Sequence, residues 1–168
     1  IERLGHRSLE RMSTVSRSPD YRSLDIGCGI GSHFQYVSNG QHIGLDINSA
    51  RIDEARRRFP EHAFVAGNAK HLPFPERSFD RVIAVYVLEH IPQLEEIFRE
   101  VKRVLVPEGE FLVALPCEGG ALYRAGRFVT TKRYYERTYG GNYLELVASE
   151  HVHSCTEVIE TLRTWFHI

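Results

Sequence analysis

At 168 residues, 42% hydrophobic and with a formal net charge of -1, the chain is large enough for one compact domain with a substantial core. That charge gives no overall attraction to nucleic acid or an anionic membrane, no secretory signal opens the sequence, and the longest strictly apolar run, residues 82–88, is far too short to span a bilayer. Cys28, Cys117 and Cys155 are sparse, odd in number and without CxxC spacing. They do not read as a disulfide framework or a zinc knuckle, and a reducing, cytoplasmic setting is the default.

The first twenty residues read as a polar helical lead-in, broken at Ser18-Pro19-Asp20. Arg22-Ser23-Leu24-Asp25-Ile26 is a short strand running straight into Gly27-Cys28-Gly29-Ile30-Gly31, with a short helix expected over residues 32–37. His42-Ile43-Gly44-Leu45-Asp46-Ile47 is the second strand. Asn48 or Ser49 caps the next helix, whose apolar positions Ile52, Ala55 and Phe59 share a face until Pro60 ends it. Residues 63–66 form a third strand, and the following loop carries Pro73 and Pro75.

Residues 81–88 make the clearest strand, apolar enough to be covered on both faces. After Pro92, Leu94, Ile97, Phe98, Val101, Val104 and Leu105 recur at spacings of three and four, the pattern of an amphipathic helix. Pro107-Glu108-Gly109 turns the chain into a fifth strand over residues 110–115, and Ser154-Cys155-Thr156-Glu157 has the form of a capping box opening a last helix. Strand and helix in alternation predict an α/β fold, a mostly parallel sheet joined by crossover helices in a three-layer Rossmann-like sandwich. A single domain over residues 1–168 is expected, with its core at 22–115.

Gly27, Gly29 and Gly31 stand at the strand exit, where the absence of Cβ atoms lets the backbone turn sharply and approach a ligand, with free amides of the following helix facing it. This is the nucleotide crevice of an open parallel sheet. Asp46, at the end of the second strand, either accepts from both ribose hydroxyls of an adenosine or merely caps the next helix. The dinucleotide fingerprint is G-x-G-x-x-G, whereas here the spacing is G-x-G-x-G with Ser32 at the third position. That spacing favours a nucleoside joined to an amino acid over a dinucleotide.

Leu24-Asp25-Ile26-Gly27-Cys28-Gly29-Ile30-Gly31 resembles motif I of the class I S-adenosylmethionine-dependent methyltransferases, and Gly44-Leu45-Asp46-Ile47 resembles their second motif. Gly67-Asn68-Ala69-Lys70-His71-Leu72-Pro73-Phe74, Ser78-Phe79-Asp80-Arg81-Val82-Ile83, Val87-Leu88-Glu89-His90-Ile91 and Arg103-Val104-Leu105-Val106-Pro107-Glu108-Gly109 continue the likeness in order, in the manner of the small-molecule, methyltransferase type 11-like branch. The resemblance implies S-adenosyl-L-methionine as cofactor, leaving S-adenosyl-L-homocysteine. Asp25 would then hold its ammonium, the three glycines would pass its methionine part and Asp46 would take its ribose. Asn68 and Ala69 would flank the adenine, with Leu72 beneath. The implied cofactor set is Asp25, Gly27, Cys28, Gly29, Gly31, Asp46, Ile47, Asn68, Ala69 and Leu72. Asn68 departs from the family's usual aspartate, though an amide oxygen still accepts from an amino group.

A sulfonium methyl group is already electrophilic, so placing an acceptor in line and excluding water does most of the work and no triad is expected. His90 is the candidate base, the alternative being that it packs or caps the helix beginning at Pro92. Glu89 is a second candidate. His151 and His153 lack an evident third metal ligand, Arg56-Arg57-Arg58 reads as a solvated helix back, and His6-Arg7 as part of a solvated lead-in, the alternative being that it folds over the cofactor carboxylate.

In residues 116–150, Arg124, Arg127, Lys132, Arg133 and Arg137 alternate with Tyr123, Phe128, Tyr134, Tyr135 and Tyr139, a composition suited to an acceptor-binding lid. Tyr86-Val87-Leu88-Glu89 stands where base-methylating relatives carry an Asn- or Asp-Pro-Pro-aromatic motif, which argues against nucleic acid. The expected acceptor is a small molecule or a glycan. The family closes its sheet with a final antiparallel hairpin, whereas this chain stops where a sixth strand would begin. Either further chain or a partner subunit is expected to cover that edge, so a homo-oligomer is one alternative. The rival functional readings are an NAD-dependent oxidoreductase and a non-catalytic cofactor-binding module.

Overall fold

The computed structural model describes residues 20–37, 39–116, 137 and 152–168. These fall into two compact units, one built from Ile1–Val87 with Gln93–Ala114 and the other from Leu88–Pro92 with Leu115–Ile168. The first unit holds β1 (Arg22–Ile26), β2 (Gln41–Asp46), α1 (Ser49–Arg58), β3 (Ala63–Ala66), β4 (Phe79–Val85), α2 (Leu94–Val104) and β5 (Leu105–Ala114). Among the described residues, the second holds a 3-10 turn, Leu88–His90, and α3 (Cys155–Trp165).

The five strands lie in the order β3-β2-β1-β4-β5, and every pairing is parallel. The chain therefore winds outward from β1 in one direction through β2 and β3, then returns to β4 and winds the other way. Right-handed crossovers moving in opposite directions put α1 and α2 on opposite faces, which makes the three layers of a Rossmann-like sandwich. The carboxyl ends of β1, β2, β3 and β4 consequently share one rim.

Composition explains which strands are central. β4 is buried at all positions but Asp80, and Leu24, Ile26, Val82, Ile83 and Ala84 have no accessible surface. Arg81 is also wholly buried in that strand, its guanidinium lying 5.3 Å from the centroid of the Tyr21 ring. Leu94, Ile97, Phe98, Val101 and Val104 of α2 are all buried, as their spacing requires. α1 buries Ile52 and Ala55 in a cluster with Cys28, Phe34 and Phe64. Its N-cap is Asn48, whose side chain accepts from the Ala50 and Arg51 amides.

Three expectations about elements are corrected. No helix forms over residues 32–37: Phe34 N donates to Gly31 O at 3.0 Å and Tyr36 N to His33 O at 2.9 Å, three-residue steps that make successive turns. Gly29 and Gly31 both have positive φ, so the backbone enters this segment outside the right-handed helical region. The strongest strand ends at Val85, because Tyr86 takes a φ of 55°. The fifth strand begins at Leu105, the turn at Pro107-Glu108-Gly109 surviving within it as a shift of register and a φ of 63° at Glu108.

In the second unit α3 opens with the expected capping box. Glu157 N donates to Ser154 Oγ at 3.3 Å, and Ser154 N donates back to Glu157 Oε2 at 2.7 Å. Cys155 is disulfide-bonded, against the reading of the cysteines as reduced thiols, while Cys28 is free and buried. Among the described residues no helix is long and apolar enough to cross a membrane. The lead-in with His6-Arg7, His151 and, apart from the exposed Arg137, the basic and aromatic residues read as a lid lie outside the described residues.

Candidate cofactor site

The rim at the ends of β1, β2 and β3 gathers the residues that the resemblance implied for the cofactor, and their bonds assign them different tasks. Gly29 N donates to Asp46 Oδ2 at 2.9 Å, and Asn48 N donates to Asp46 Oδ1 at 2.8 Å. Asp46 is buried, so its carboxylate ties the glycine turn to the start of α1. It does not cap that helix, since Asn48 does. A carboxylate has about four acceptor positions, so two remain for further donors.

The three glycines differ. Gly27, at φ 71°, could not take a Cβ without colliding with Val87, and a Cβ on Gly31, at φ 79°, would lie 3.0 Å from the Phe59 ring. Gly29, at φ 55°, has nothing within 4 Å of where its Cβ would be. Gly27 is thus required by the protein's own packing, a side chain at Gly31 would make the Phe59 ring give way, and of the three Gly29 alone presents bare backbone to open space. Four amides of the turn itself are taken up within the chain. Gly27 N and Cys28 N donate to Leu45 O at 2.7 and 3.0 Å, Gly31 N donates to Cys28 O at 2.9 Å, and Gly29 N is held by Asp46.

Asp25 is buried beneath the turn, with 4% of its surface accessible. Cys28 points inward to the cluster around Phe34, where burial pushes its thiol far up and the Asp25 and Asp46 carboxylates push it further. It is a packing residue with an inert thiol. Ile47 is 75% exposed beside Asp46, an unusually bare aliphatic side chain next to a buried carboxylate. Asn68 turns back on its own loop: its Oδ1 accepts from Lys70 N at 3.0 Å and its carbonyl from His71 N at 3.0 Å. Leu72 is buried, and Ala69 is partly so. Gly67 N donates to Asp46 O at 3.0 Å, which joins this loop to the end of β2.

Several contributors were not evident from sequence. Arg58, read as part of a solvated face, donates to the Ile30 carbonyl of the glycine turn at 3.4 Å, and Arg56 donates to Phe64 O at 2.8 Å. Tyr86 holds a left-handed backbone at the carboxyl end of β4, a conformation that costs on the order of 1 kcal/mol or more in a non-glycine residue. Glu100 and Arg103 of α2 bond the loop that carries Asn68 and Leu72. Opposite charges three residues apart on a helix were the only signal available for that pair.

In the second unit, His90 is exposed on the 3-10 turn, its Nε2 3.8 Å from Oε1 of the buried Glu89. The Glu89 carbonyl accepts from Val152 N and His153 N at 2.8 and 3.2 Å. His153 Nε2 donates to the Pro92 carbonyl at 3.1 Å. No group of three or more potential metal ligands occurs among the described residues.

A parallel sheet wound in two directions from β1, with a glycine turn after that strand and an acid after the next, defines a nucleoside-binding domain of the Rossmann-like class. The family model for the methyltransferase domain matches residues 24–113, more than half of the chain, and the chain belongs to that family, the class I S-adenosylmethionine-dependent methyltransferases. It is 35% identical over 106 residues to the sterol 24-C-methyltransferase ERG6B of Gibberella zeae, a match covering 58% of this chain and 28% of that protein. It is 39% identical over 97 residues to a fatty-acid O-methyltransferase of Mycolicibacterium smegmatis, covering 54% of this chain and 35% of that one. The chain thus matches about a third of the length of these curated relatives. Among solved structures, the YcgJ protein of Bacillus subtilis is 27% identical with a TM-score of 0.68, over 95% of this chain and 67% of that one. The geranyl diphosphate C-methyltransferase of Streptomyces coelicolor, solved with Mg2+, geranyl diphosphate and S-adenosyl-L-homocysteine, shares the fold at 18% identity with a TM-score of 0.70, over 98% and 60% of the two chains.

Proposed function

We propose that this chain binds S-adenosylmethionine at the rim of its sheet and directs methyl transfer to a small-molecule or glycan acceptor. The observation that carries the reading is the bonding of the glycine turn. A dinucleotide needs backbone amides aimed at its diphosphate. The amides of Gly27, Cys28, Gly29 and Gly31 are instead held by the chain itself, while Gly29 leaves open space and Asp46 keeps acceptor capacity for hydroxyls. These features fit a nucleoside joined to an amino acid and disfavour NAD.

When bound, the cofactor supplies an electrophilic methyl carbon. The protein's share is placement and exclusion of water. In this reading Asp46 receives the ribose, bare Ile47 and buried Leu72 offer apolar surface to the base, and Asn68 and Ala69 border it. Asp25 carries the negative charge that an ammonium group seeks. His90 is the residue we assign as general base for an acceptor that must lose a proton, and residues 116–150 are the segment we assign to the acceptor. The names of the relatives, which act on sterol and fatty-acid substrates, support a small molecule over a nucleic acid.

Calorimetry with S-adenosylhomocysteine and NAD in parallel tests the cofactor. Binding of the former alone is expected, and tight NAD binding without response to S-adenosylhomocysteine overturns the reading. Turnover with an apolar hydroxyl or carboxyl acceptor separates an enzyme from a silent binding module. His90→Asn should then slow turnover about a hundredfold or more with the cofactor affinity kept.

A further inference from the structure

We infer that Glu100 and Arg103 position the loop bearing Asn68 and Leu72, and thereby control how tightly the base of the cofactor is held. The inference rests on the cofactor reading above and adds to it two positioning residues that act through the loop they bond.

Between β3 and β4 the chain runs through twelve residues without helix or strand, interrupted by Pro73 and Pro75, which have no amide to donate. Such a loop cannot hold its shape through a backbone ladder of its own. α2 supplies the missing partners. Leu72 N donates to Glu100 Oε2 at 2.8 Å. The Arg103 guanidinium donates through Nη2 to Leu72 O at 3.0 Å and through Nη1 to Phe74 O at 2.8 Å, so it spans Pro73 from both sides. The same guanidinium forms a two-pronged pair with the carboxylate, Nε to Glu100 Oε1 at 2.8 Å and Nη2 to Glu100 Oε2 at 2.7 Å.

Four of the five guanidinium donors are aligned by this arrangement, a geometry that only the planar fork of arginine provides. The two groups reinforce each other. The hydrogen bond from Arg103 holds the Glu100 carboxyl below its usual range, and the bond to Glu100 raises the Arg103 guanidinium. Lys70 extends the contact, with its Nζ bonded to Gln93 Oε1 and 3.7 Å from Glu96 Oε2. Gln93, Glu96, Glu100 and Arg103 follow one another at steps of three, four and three, a polar stripe along α2 beside its buried apolar one. At its far end the loop is fastened to the same helix, Arg77 N donating to Arg103 O at 2.9 Å and Ser78 N to Val104 O at 2.7 Å. One helix therefore packs the core with one stripe and fixes the base-side loop with another.

The test combines a ligand-free and a ligand-bound measurement on the whole chain. In amide hydrogen exchange without ligand, Glu100→Gln and Arg103→Gln should each speed exchange at Leu72 at least tenfold while the amides of Val82, Ile83 and Ala84 in β4 stay unchanged. Unchanged Leu72 exchange, or equal acceleration in β4, overturns the inference whatever the cofactor proves to be. In calorimetry with S-adenosylhomocysteine, Arg103→Gln should weaken binding about tenfold, Arg103→Lys should not restore it, and Asn68→Ala in the Arg103→Gln background should cost much less than it does alone. Strictly additive losses would mean that Arg103 does not act through this loop and would overturn the positioning role. If the unaltered chain ignores S-adenosylhomocysteine, the cofactor reading fails with it, and the exchange result still decides the loop.

Discussion

Gly29 and Asp46, seventeen residues apart, are joined by a hydrogen bond of 2.9 Å from the amide of one to the carboxylate of the other. Because the second carboxylate oxygen accepts from Asn48 N, the glycine turn, the acid and the start of α1 form one rigid unit. A residue placed to receive a ribose is thus also the residue that shapes the surface around it.

This double role sets the outcome at Asp46. Asp46→Ala should lose cofactor binding by a hundredfold or more and also lower stability by about 1–3 kcal/mol, the cost of leaving buried donors unsatisfied. Asp46→Asn keeps one acceptor oxygen but sets an NH2 group against the other backbone amide, so it should recover only part of the stability while still binding weakly. Calorimetry and denaturant unfolding on both variants check the split. Unaltered stability in Asp46→Ala would show that the two bonds contribute nothing to the fold.

The glycines should separate in the same way. Gly27→Ala meets Val87 in a backbone conformation that side chains avoid, so a loss of about 3 kcal/mol or more is expected. Gly29→Ala meets only open space, and its cost should be limited to about 1–2 kcal/mol from its positive φ. Cofactor affinity, by contrast, should fall further in a Gly29→Ala protein that remains folded. Denaturant midpoints with affinities for S-adenosylhomocysteine test the reversal of order.

Glu100 gives a pH dependence of defined sign. Its carboxyl is held below the usual range chiefly by Arg103, so the folded form binds a proton less readily than the unfolded chain. The stabilisation is complete above the ordinary glutamate value of about 4.3 and is lost as pH falls through the lower, folded value. Glu100→Gln cannot ionise and lacks this contribution, so the thermal midpoint of the wild type should fall more steeply than the variant's below about pH 4.5. Parallel curves would remove Glu100 as the source.

Within the second unit, Ser154→Ala removes the hydroxyl that caps α3 and should cost about 1 kcal/mol. Amide exchange in the first turn of α3 should rise, which mass spectrometry of the 152–168 segment can follow. No change there would show that Glu157 alone suffices to hold the helix start.

The sequence by itself determined the order of the five strands and of the helices over 49–58, 94–104 and 155–165, because periodicities of two and three to four are local properties of the chain. It singled out the three glycines and the acid as candidates, since backbone freedom and carboxylate chemistry belong to those residue types wherever they stand. Leu24, Val82, Phe98 and Val101 were legible as core for the same reason. Tertiary structure alone decided which of Gly27, Gly29 and Gly31 faces open space, because that depends on Val87 and Phe59 arriving from elsewhere in the chain. It turned Cys28 inward and made turns of the expected helix after Gly31. It also gave Arg58, Glu100 and Arg103 their partners at Ile30, Leu72 and Phe74. Those bonds are long-range and directional, and a hydrophobic pattern carries no record of which distant carbonyl a guanidinium will meet.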